Sequence, residues 1–274
     1  MISDLHNDFP TAKDYLNVLE NYSKSRHEIV GAVFKGKRSY EECYELAESL
    51  FHFKSDNVYL AYEDFSYDVS YKKLEKMLDL EPVYVTLTWN GDCVTGGGAG
   101  SENGLTRRGR DMIKLLNERG IFVDLAHLSK RGFYEVVDIA EKVLCSHTAF
   151  CGVNEHIRNL DDDQLRVLGE KNAFVGLAFY PYFLNGTARA DVNDVVKHID
   201  HFVALFGDER LCVGSDFYGC EVYPENMSDY SFEGVLRKKL YAAGYSVGSV
   251  DRILFDNLAA VLLKKRVEIK GGFK

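Results

Sequence analysis

Eight short, apolar, β-rich runs alternate with amphipathic helical patterns along the chain of 274 residues. Most of these runs are continuously apolar, which is typical of parallel strands buried on both faces. The repeated strand–helix order predicts an α/β protein, a single (β/α)8 TIM barrel that forms one domain over residues 1–274. The predicted strands are Ile2–Asp8, Ile29–Lys35, Val58–Glu63, Val83–Asn90, Ile121–His127, Val143–His147, Phe174–Tyr180 and Leu211–Asp216.

Apolar residues at helical spacing indicate helices between and after these runs. Thr106 is a candidate N-cap for one of them, and Gly120 is the matching stop signal. The predicted helices are Tyr40–Phe53, Thr106–Arg119, Ser129–Glu141, Asp161–Glu170, Ala190–Phe206, Tyr230–Ala243 and Ser249–Lys264.

An open doubly wound sheet is the alternative fold, and it usually places a glycine-rich phosphate loop after its first strand. Here the first predicted strand is followed by Asn7-Asp8-Phe9-Pro10. The one glycine cluster, Gly96-Gly97-Gly98, comes after the fourth strand, where we expect a flexible loop. The barrel is therefore the favoured fold.

Charge and hydropathy exclude several classes of function. The formal net charge of −9 disfavours non-specific binding to nucleic acid or to an anionic membrane surface, because both attract clustered cations. No apolar run approaches the roughly 18 residues that span a bilayer. The first predicted strand begins at residue 2, so we expect no signal peptide. The six cysteines form no C-x-x-C pair, so we expect reduced thiols in a cytoplasmic protein.

Imidazole and carboxylate side chains follow the apolar part of five predicted strands. The carboxyl ends of barrel strands converge on one face, where active sites lie. Burying so many ionisable groups together is costly unless metal ions or mutual pairing compensate. These residues are His6, Asp8, Glu63, His127, His147 and Asp216.

The size of this set predicts two metal ions, since a single catalytic zinc needs only three protein ligands. His6 and Asp8 point to the same side because side chains on a strand alternate with a period of two. Glu63 is the favoured bridge between the ions by strand parity, with Asp64 as the open alternative. Asp216 is then free to act as general base and acid.

The chain resembles the renal, or membrane, dipeptidase family of the amidohydrolase superfamily over nearly its whole length. Together and in this order the shared motifs are specific, although most are weak singly. They are Asp4-Leu-His-Asn-Asp8-Phe-Pro10, Thr86-Leu-Thr88, Gly104-Leu-Thr106 with Gly109-Arg110, Val123-Asp-Leu-Ala-His127-Leu-Ser129, Ser146-His147, Arg158-Asn-Leu-Asp-Asp162, Phe179-Tyr-Pro181, His198-Ile-Asp-His201 and Gly214-Ser-Asp216-Phe-Tyr-Gly219.

This resemblance implies a barrel with two zinc ions that hydrolyses dipeptides through a metal-bridging hydroxide, some relatives accepting a D-residue at the C-terminal position. It also implies a homodimer. Carried over residue by residue, it implies His6 and Asp8 as ligands of one zinc, His127 and His147 as ligands of the other, Glu63 as the bridge, Arg158 as the residue that binds the substrate carboxylate and Asp216 as the catalytic acid and base.

One departure from the family keeps another hydrolase function open, and a non-catalytic barrel is a separate alternative. Where the family commonly has a histidine that contacts the scissile carbonyl, this chain has Trp89, followed by Asn90, whose amide is a candidate donor. We expect Trp89, Asn90 and Tyr180 to line the substrate site. The alternatives are another binuclear amidohydrolase, acting on N-acyl amino acids or lactones, and a non-catalytic barrel that binds a metal or a peptide.

Four other histidines and one lysine are interpreted without a role in the site. His198 and His201 lie three residues apart on a predicted outer helix, so we expect a structural role for both. His27 and His52 are predicted to be surface residues. Lys35 ends the second strand and is interpreted as a surface cation.

Overall fold

In the computed structural model, which describes residues 1–53 and 55–262, eight parallel strands follow one another around a closed barrel. The predicted (β/α)8 fold is therefore confirmed. The strands are β1 Ser3–Asn7, β2 Glu28–Phe34, β3 Val58–Glu63, β4 Tyr84–Thr86, β5 Phe122–Asp124, β6 Val143–Thr148, β7 Val175–Leu177 and β8 Leu211–Val213.

Helices follow the strands as predicted, and several more are present. The α-helices are α1 Tyr15–Ser23, α2 Tyr40–Phe53, α3 Tyr71–Leu78, α4 Arg107–Glu118, α5 Lys130–Ile139, α6 Asp162–Glu170, α7 Pro181–Asn185, α8 Val192–Phe206, α9 Phe232–Ala242 and α10 Val247–Asp251. A 3-10 helix spans Phe9–Thr11, and a π-helix spans Arg252–Asp256. Part of the predicted helix Ser249–Lys264 lies outside the described residues.

Side chains at the helix N-termini explain where several of these helices begin. The predicted cap Thr106 accepts a hydrogen bond from the backbone N–H of Gly109, which satisfies a donor that the helix itself leaves open. Asp161 and Asp191 start α6 and α8 with reciprocal capping boxes. Among the helices that were not predicted, α3 buries Leu74 and Met77 at helical spacing, so its pattern was readable.

Six strands end earlier than predicted: β1 and β2 by one residue, β5, β7 and β8 by three, and β4 by four. The chain leaves the hydrogen-bonded ladder there and turns with positive φ at His127 (65°) and Asp216 (61°). This left-handed conformation is costly for residues other than glycine. Both residues therefore lie in loops directly after the strands, where the surrounding structure has to hold them.

The chain divides into two compact units, and each has its own aromatic packing. In the first unit the rings of Phe179 and Phe232 pack edge-to-face with centroids 4.9 Å apart, and in the second Tyr62 packs on Phe65 at 5.1 Å. The single-domain organisation over residues 1–274 stays a prediction. The first unit comprises residues 1–7, 25–29 and 145–274, and the second comprises residues 8–24 and 30–144.

Two further properties predicted from the sequence can be compared with the structure. All six cysteines are free, so the expected absence of disulfides holds for them. Within the described ranges, no helix is both long enough and apolar enough to cross a membrane.

The β7–β8 region of the first unit depends on two glycines that face one carbonyl. A Cβ atom on Gly176 would lie 1.9 Å from the carbonyl oxygen of Ser146, and one on Gly214 would lie 2.0 Å from the same atom. Real Cβ atoms do not approach oxygen so closely, so the strands can pack at this distance only without side chains at these positions.

We expect Gly176→Ala to lower the free energy of unfolding by about 1–3 kcal/mol, because the new methyl group overpacks this contact. The matched control is Gly234→Ala in α9, where a Cβ atom would meet nothing within 4 Å. That change should raise the free energy of unfolding by about 0.4–1 kcal/mol. Urea unfolding of both variants measures the difference, and equal effects would contradict the packing explanation.

His198 is a buried structural residue of α8, which confirms its interpretation from the sequence. Its Nδ1 accepts from the backbone N–H of Phe150 at 3.1 Å, and its Nε2–H donates to the carbonyl oxygen of Leu184 at 2.9 Å. The ring is therefore held in one neutral tautomer. His201 on the same helix pairs with Asp162 at 2.7 Å, also in a structural contact.

Burial lowers the pKa of His198 from 6.5 to about 4, so the folded state binds its proton less readily than the unfolded state. The neutral ring of His198 stabilises the folded state fully above pH 6.5, and this stabilisation is lost as the pH falls towards 4. The loss should reach about 3 kcal/mol. We expect His198→Gln to remove this part of the pH dependence of unfolding, whereas the same change at the exposed His52 should leave it intact.

Candidate functional site

The first unit brings three of the predicted site residues together. The rings of His6 and His147 lie with centroids 3.8 Å apart, and both residues are buried. The carboxylate Oδ1 of Asp216 is 3.8 Å from His6 Nε2, and the backbone N–H of Asp216 donates to the carbonyl oxygen of His6 at 3.1 Å. The loop after β8 is thereby fixed beside the end of β1.

Asp4 holds this loop in place through hydrogen bonds, although it is not among the predicted site residues. Its carboxylate accepts from the backbone N–H of Ser215 at 2.8 Å, from the Ser215 hydroxyl at 2.5 Å and from the Tyr230 hydroxyl at 2.6 Å. Burial raises the pKa of Asp4, and these hydrogen bonds partly offset that effect. The signal in the sequence is an acid two residues before His6, inside an otherwise buried strand.

Ser146 orients the two histidines of the first unit. Its Oγ lies 2.8 Å from Nδ1 of His147 and 3.4 Å from Nδ1 of His6. A ring that carries its proton on Nδ1 donates to this oxygen and keeps the lone pair of Nε2 for a metal ion. The position of Ser146 therefore suits two histidines that act as ligands through Nε2.

The second unit pairs the predicted ligands Glu63 and His127. Glu63 Oε1 lies 2.9 Å from Nε2 of His127, whose Nδ1 lies 2.8 Å from the side-chain oxygen of Asn90. Since an amide oxygen can only accept, His127 carries its proton on Nδ1 and keeps the lone pair of Nε2 on the side of Glu63. A separation of 2.9 Å suits two ligands of one zinc ion, whose bonds of about 2 Å place neighbouring ligand atoms roughly 3 Å apart.

Asp64, the alternative to Glu63, is directed to other partners. Its carboxylate accepts from the Ser66 hydroxyl at 2.6 Å and lies 3.7 Å from Lys35 Nζ. Lys35 is half-buried in this pair, so its interpretation as a surface cation is wrong. Glu63, by contrast, lies beside His127.

Asp8, the remaining predicted ligand, is a buried residue of the second unit at the start of the 3-10 helix Phe9–Thr11. Its carbonyl oxygen accepts from the backbone N–H and from the hydroxyl of Thr11, both at 2.9 Å. Each unit therefore contains imidazole and carboxylate donors, a kind of donor set that suits zinc.

Arg158 and Tyr180 contact a common aromatic ring in the first unit. The guanidinium of Arg158 lies 5.4 Å above the ring of Phe183 and donates to the carbonyl oxygen of His147 at 3.4 Å. The ring of Tyr180 packs edge-on against Phe183 at 4.9 Å. Burial is the largest cause of a raised pKa for Tyr180, so this phenol stays neutral at ordinary pH.

Trp89 and Asn90 take different directions after β4. Asn90 contacts His127 through its oxygen, as described, so its carbonyl acts as an acceptor. The Trp89 side chain is 46% exposed and packs on Phe34, with ring centroids 5.5 Å apart. Its ring centroid is 6.3 Å from that of His127, which places the indole beside the candidate ligand.

The glycine cluster after β4 is a packed turn, so the prediction of a flexible loop is wrong. Its three glycines are buried. The carbonyl oxygen of Gly97 accepts from the backbone N–H of Ser129, and a Cβ atom on Gly98 would lie 1.8 Å from the carbonyl oxygen of Trp89. The absent side chains allow this close packing of backbone on backbone.

The interpretation of His27 as a surface residue is also wrong. His27 is half-buried, and its Nδ1 accepts from the backbone N–H of Ile2 at 3.0 Å. Burial lowers the pKa of His27, which favours the neutral ring that this hydrogen bond needs. His52, the other predicted surface histidine, is exposed as expected.

Comparison with known families and curated relatives gives matches to dipeptidases. Residues 60–269 match the family described as membrane dipeptidase, peptidase family M19. An uncharacterised dipeptidase of Schizosaccharomyces pombe is 31% identical over 195 residues, which cover 69% of this chain and 48% of that protein. The dipeptidase tcpJ of Claviceps purpurea is 30% identical over 162 residues, covering 58% of this chain and 38% of that protein. The chain thus spans less than half the length of these relatives.

A solved structure supports the fold. A metallopeptidase of Rhodobacter sphaeroides, liganded with a phosphinate mimic of the dipeptide L-Ala-D-Ala, superposes with a TM-score of 0.78 over 96% of this chain and 99% of that chain. Its sequence is 19% identical, so this likeness concerns the barrel alone.

We expect Asn90→Leu to weaken zinc binding about 10- to 100-fold, because His127 loses the acceptor that fixes its tautomer. Asn90→Asp keeps an acceptor and should bind zinc nearly as the parent chain does. Asn103→Leu is the matched control, since Asn103 is an exposed residue whose amide contacts Asp92. Competition with a chromogenic chelator measures each affinity, and an unchanged affinity in Asn90→Leu would contradict the orienting role.

Proposed function

Because the chain belongs to the membrane dipeptidase family, peptidase family M19, we propose that it hydrolyses the peptide bond of dipeptides with two bound zinc ions. Two pairs of proposed ligands carry this proposal, His6 with His147 in the first unit and Glu63 with His127 in the second. Three imidazoles and several carboxylates in buried positions are a donor set for which two ions are a natural complement. The number of ions and their identity as zinc are part of the proposal.

Five residues would hold the metal ions. His6 and Asp8 would bind one ion, His127 and His147 the other, and Glu63 both. The orienting contacts of Ser146 and Asn90 support this assignment, because they keep the Nε2 lone pairs for metals. When bound, the ions supply a water that is acidic enough to ionise near neutral pH and a Lewis acid for the substrate carbonyl.

Asp216 would move the proton. Its carboxylate is nearly buried and lies 3.8 Å from His6 Nε2, so it stands beside a ligand without being needed as the bridge. Its backbone hydrogen bond to His6 keeps it in place. Asp216 takes a proton from the attacking water and passes it to the nitrogen of the leaving amine.

Arg158 would bind the substrate's terminal carboxylate. Its guanidinium is anchored over Phe183 and on the carbonyl oxygen of His147, next to a proposed ligand. A guanidinium can bind a carboxylate through two parallel hydrogen bonds. This fixes the distance from the carboxylate to the scissile bond, so the enzyme chooses short substrates. Tyr180, which shares the Phe183 ring, would line this end of the site.

The stereochemistry of the C-terminal residue is a finer part of the proposal. We include dipeptides with a C-terminal D-residue, the kind mimicked by the ligand of the Rhodobacter sphaeroides peptidase. A carboxylate held by Arg158 fixes one end of either stereoisomer. A homodimer and a cytoplasmic location stay predictions of the sequence.

Trp89 favours a second candidate function, a binuclear amidohydrolase for N-acyl amino acids or lactones. An indole cannot accept a hydrogen bond, and its single N–H is a weak replacement for the family histidine. An apolar acyl group would lie well beside an exposed indole. Parallel assays of dipeptides and N-acyl amino acids separate the two candidates, and metal binding with no turnover of any amide would favour the non-catalytic barrel.

The proposal is tested on the zinc-loaded chain with a dipeptide library. Asp216→Asn should lower kcat by about 10²- to 10⁴-fold through the loss of proton transfer. Arg158→Gln should chiefly raise KM, because the substrate loses a contact that it makes both before and during reaction. Arg107→Gln, at an exposed arginine of α4, is the control. Elemental analysis of each variant separates these effects from loss of metal, and unchanged kcat in Asp216→Asn would refute its role.

A further inference from the structure

Trp89 is the only tryptophan of the chain and has nearly half of its side chain exposed at 46%. Large apolar side chains are usually covered, and an exposed one beside polar groups often marks a binding surface. The indole lies 6.3 Å from the ring of His127, a proposed zinc ligand. The exposed face of Trp89 therefore lies next to this proposed ligand and not on a remote part of the surface.

Phe34 and Trp89 form an aromatic shelf, which we define by these two residues. Their rings are tilted at 50° with centroids 5.5 Å apart, within the range of favourable aromatic pairs. Phe34 is half-buried at the end of β2 and supports one side of the indole. The rest of the indole remains open to a ligand.

The backbone that carries the shelf is tightly fixed. Gly98 packs so closely on the carbonyl oxygen of Trp89 that a Cβ atom there would lie 1.8 Å away, and its N–H donates to Gly91 at 3.0 Å. On the other side, the Thr88 hydroxyl donates to the carbonyl oxygen of His127 at 3.1 Å. A fixed aromatic surface binds a ligand without first losing conformational freedom.

The charged residue next to Phe34 in the chain is paired. This residue is Lys35, whose ammonium group lies 3.7 Å from the carboxylate of Asp64. The shelf itself carries no ionisable group and offers an apolar, π-rich surface. Such a surface binds uncharged apolar groups best, and among these it binds aromatic groups better than small ones.

We propose that the shelf is a specificity subsite that binds an apolar, preferentially aromatic, side chain of the substrate next to the scissile bond. This inference rests on the proposed hydrolysis of dipeptides and specifies which of them the site prefers. Dipeptides with one phenylalanine should be better substrates than Ala-Ala, since the larger ring covers the exposed indole.

Kinetics of the zinc-loaded chain test the subsite. The measured quantity is the ratio of kcat/KM for the better of Phe-Ala and Ala-Phe to kcat/KM for Ala-Ala. Trp89→Ala should lower this ratio about tenfold, the scale on which an apolar contact discriminates between substrates. Trp89→Phe keeps a ring and should lower it less. Phe51→Ala, at an exposed aromatic residue of α2, is the control and should leave the ratio unchanged.

Fluorescence gives a second measurement that does not depend on turnover. Because the chain has one tryptophan, its emission reports on the shelf alone. A non-hydrolysable phosphinate dipeptide mimic with a phenyl side chain should shift this emission to shorter wavelengths, since the indole leaves water. The same mimic with methyl side chains should shift it less.

The outcomes separate the shelf from the proposed function. Hydrolysis of all these dipeptides with a ratio that Trp89→Ala leaves unchanged would overturn the shelf and leave the dipeptidase proposal intact. A phenyl-dependent emission shift in a chain that hydrolyses no dipeptide would support the shelf and refute the function. If the chain hydrolyses no dipeptide and shows no phenyl-dependent emission shift, both the shelf and the dipeptidase proposal are overturned.

Discussion

The cost of burying ionisable groups is the constraint on which the rest of this structure depends. His6 is fully buried, and Glu63, His127 and His147 are nearly so. In a low-dielectric interior such groups are tolerated only when each finds a partner of suitable charge and geometry. The structure meets part of this need with polar residues that orient the buried rings, among them Ser146 for His6 and His147, and Asn90 for His127.

The orienting residues follow a common pattern in two ligand segments. Asp4 lies two residues before His6, accepts from the backbone N–H of His6 at 3.3 Å and receives the Ser215 hydroxyl. Asp124 lies three residues before His127, accepts from the backbone N–H of Ala126 at 3.1 Å and receives the Thr86 hydroxyl at 2.5 Å. In each case a buried carboxylate ties the ligand segment to a neighbouring strand. Such contacts can hold residues like His127 and Asp216 in a left-handed conformation that isolated chains avoid.

The sequence predicts the fold well because its signals are local. The apolar runs and their alternation with helical patterns place all eight strands, and Thr106 marks the start of α4. The strand ends are less well predicted, because a chain that leaves the ladder with positive φ has the same composition as one that continues. Lys35, His27 and the glycines 96–98 are misinterpreted for a related reason. Their burial depends on Asp64, Ile2 and Trp89, and pairing over such distances leaves no pattern in a short window.

The sequence by itself determines which residue types end each strand, and hence the candidate donors of the site, because strand periodicity and apolar runs are properties of neighbouring residues. Only the tertiary structure decides how those donors are used. It directs Asp64 to Lys35 and leaves Glu63 to His127, and it turns Asn90 from a candidate donor into an acceptor for the same ring. The physical reason is that a hydrogen bond or ion pair depends on distances of about 3 Å between atoms of remote segments, which only the closed barrel establishes.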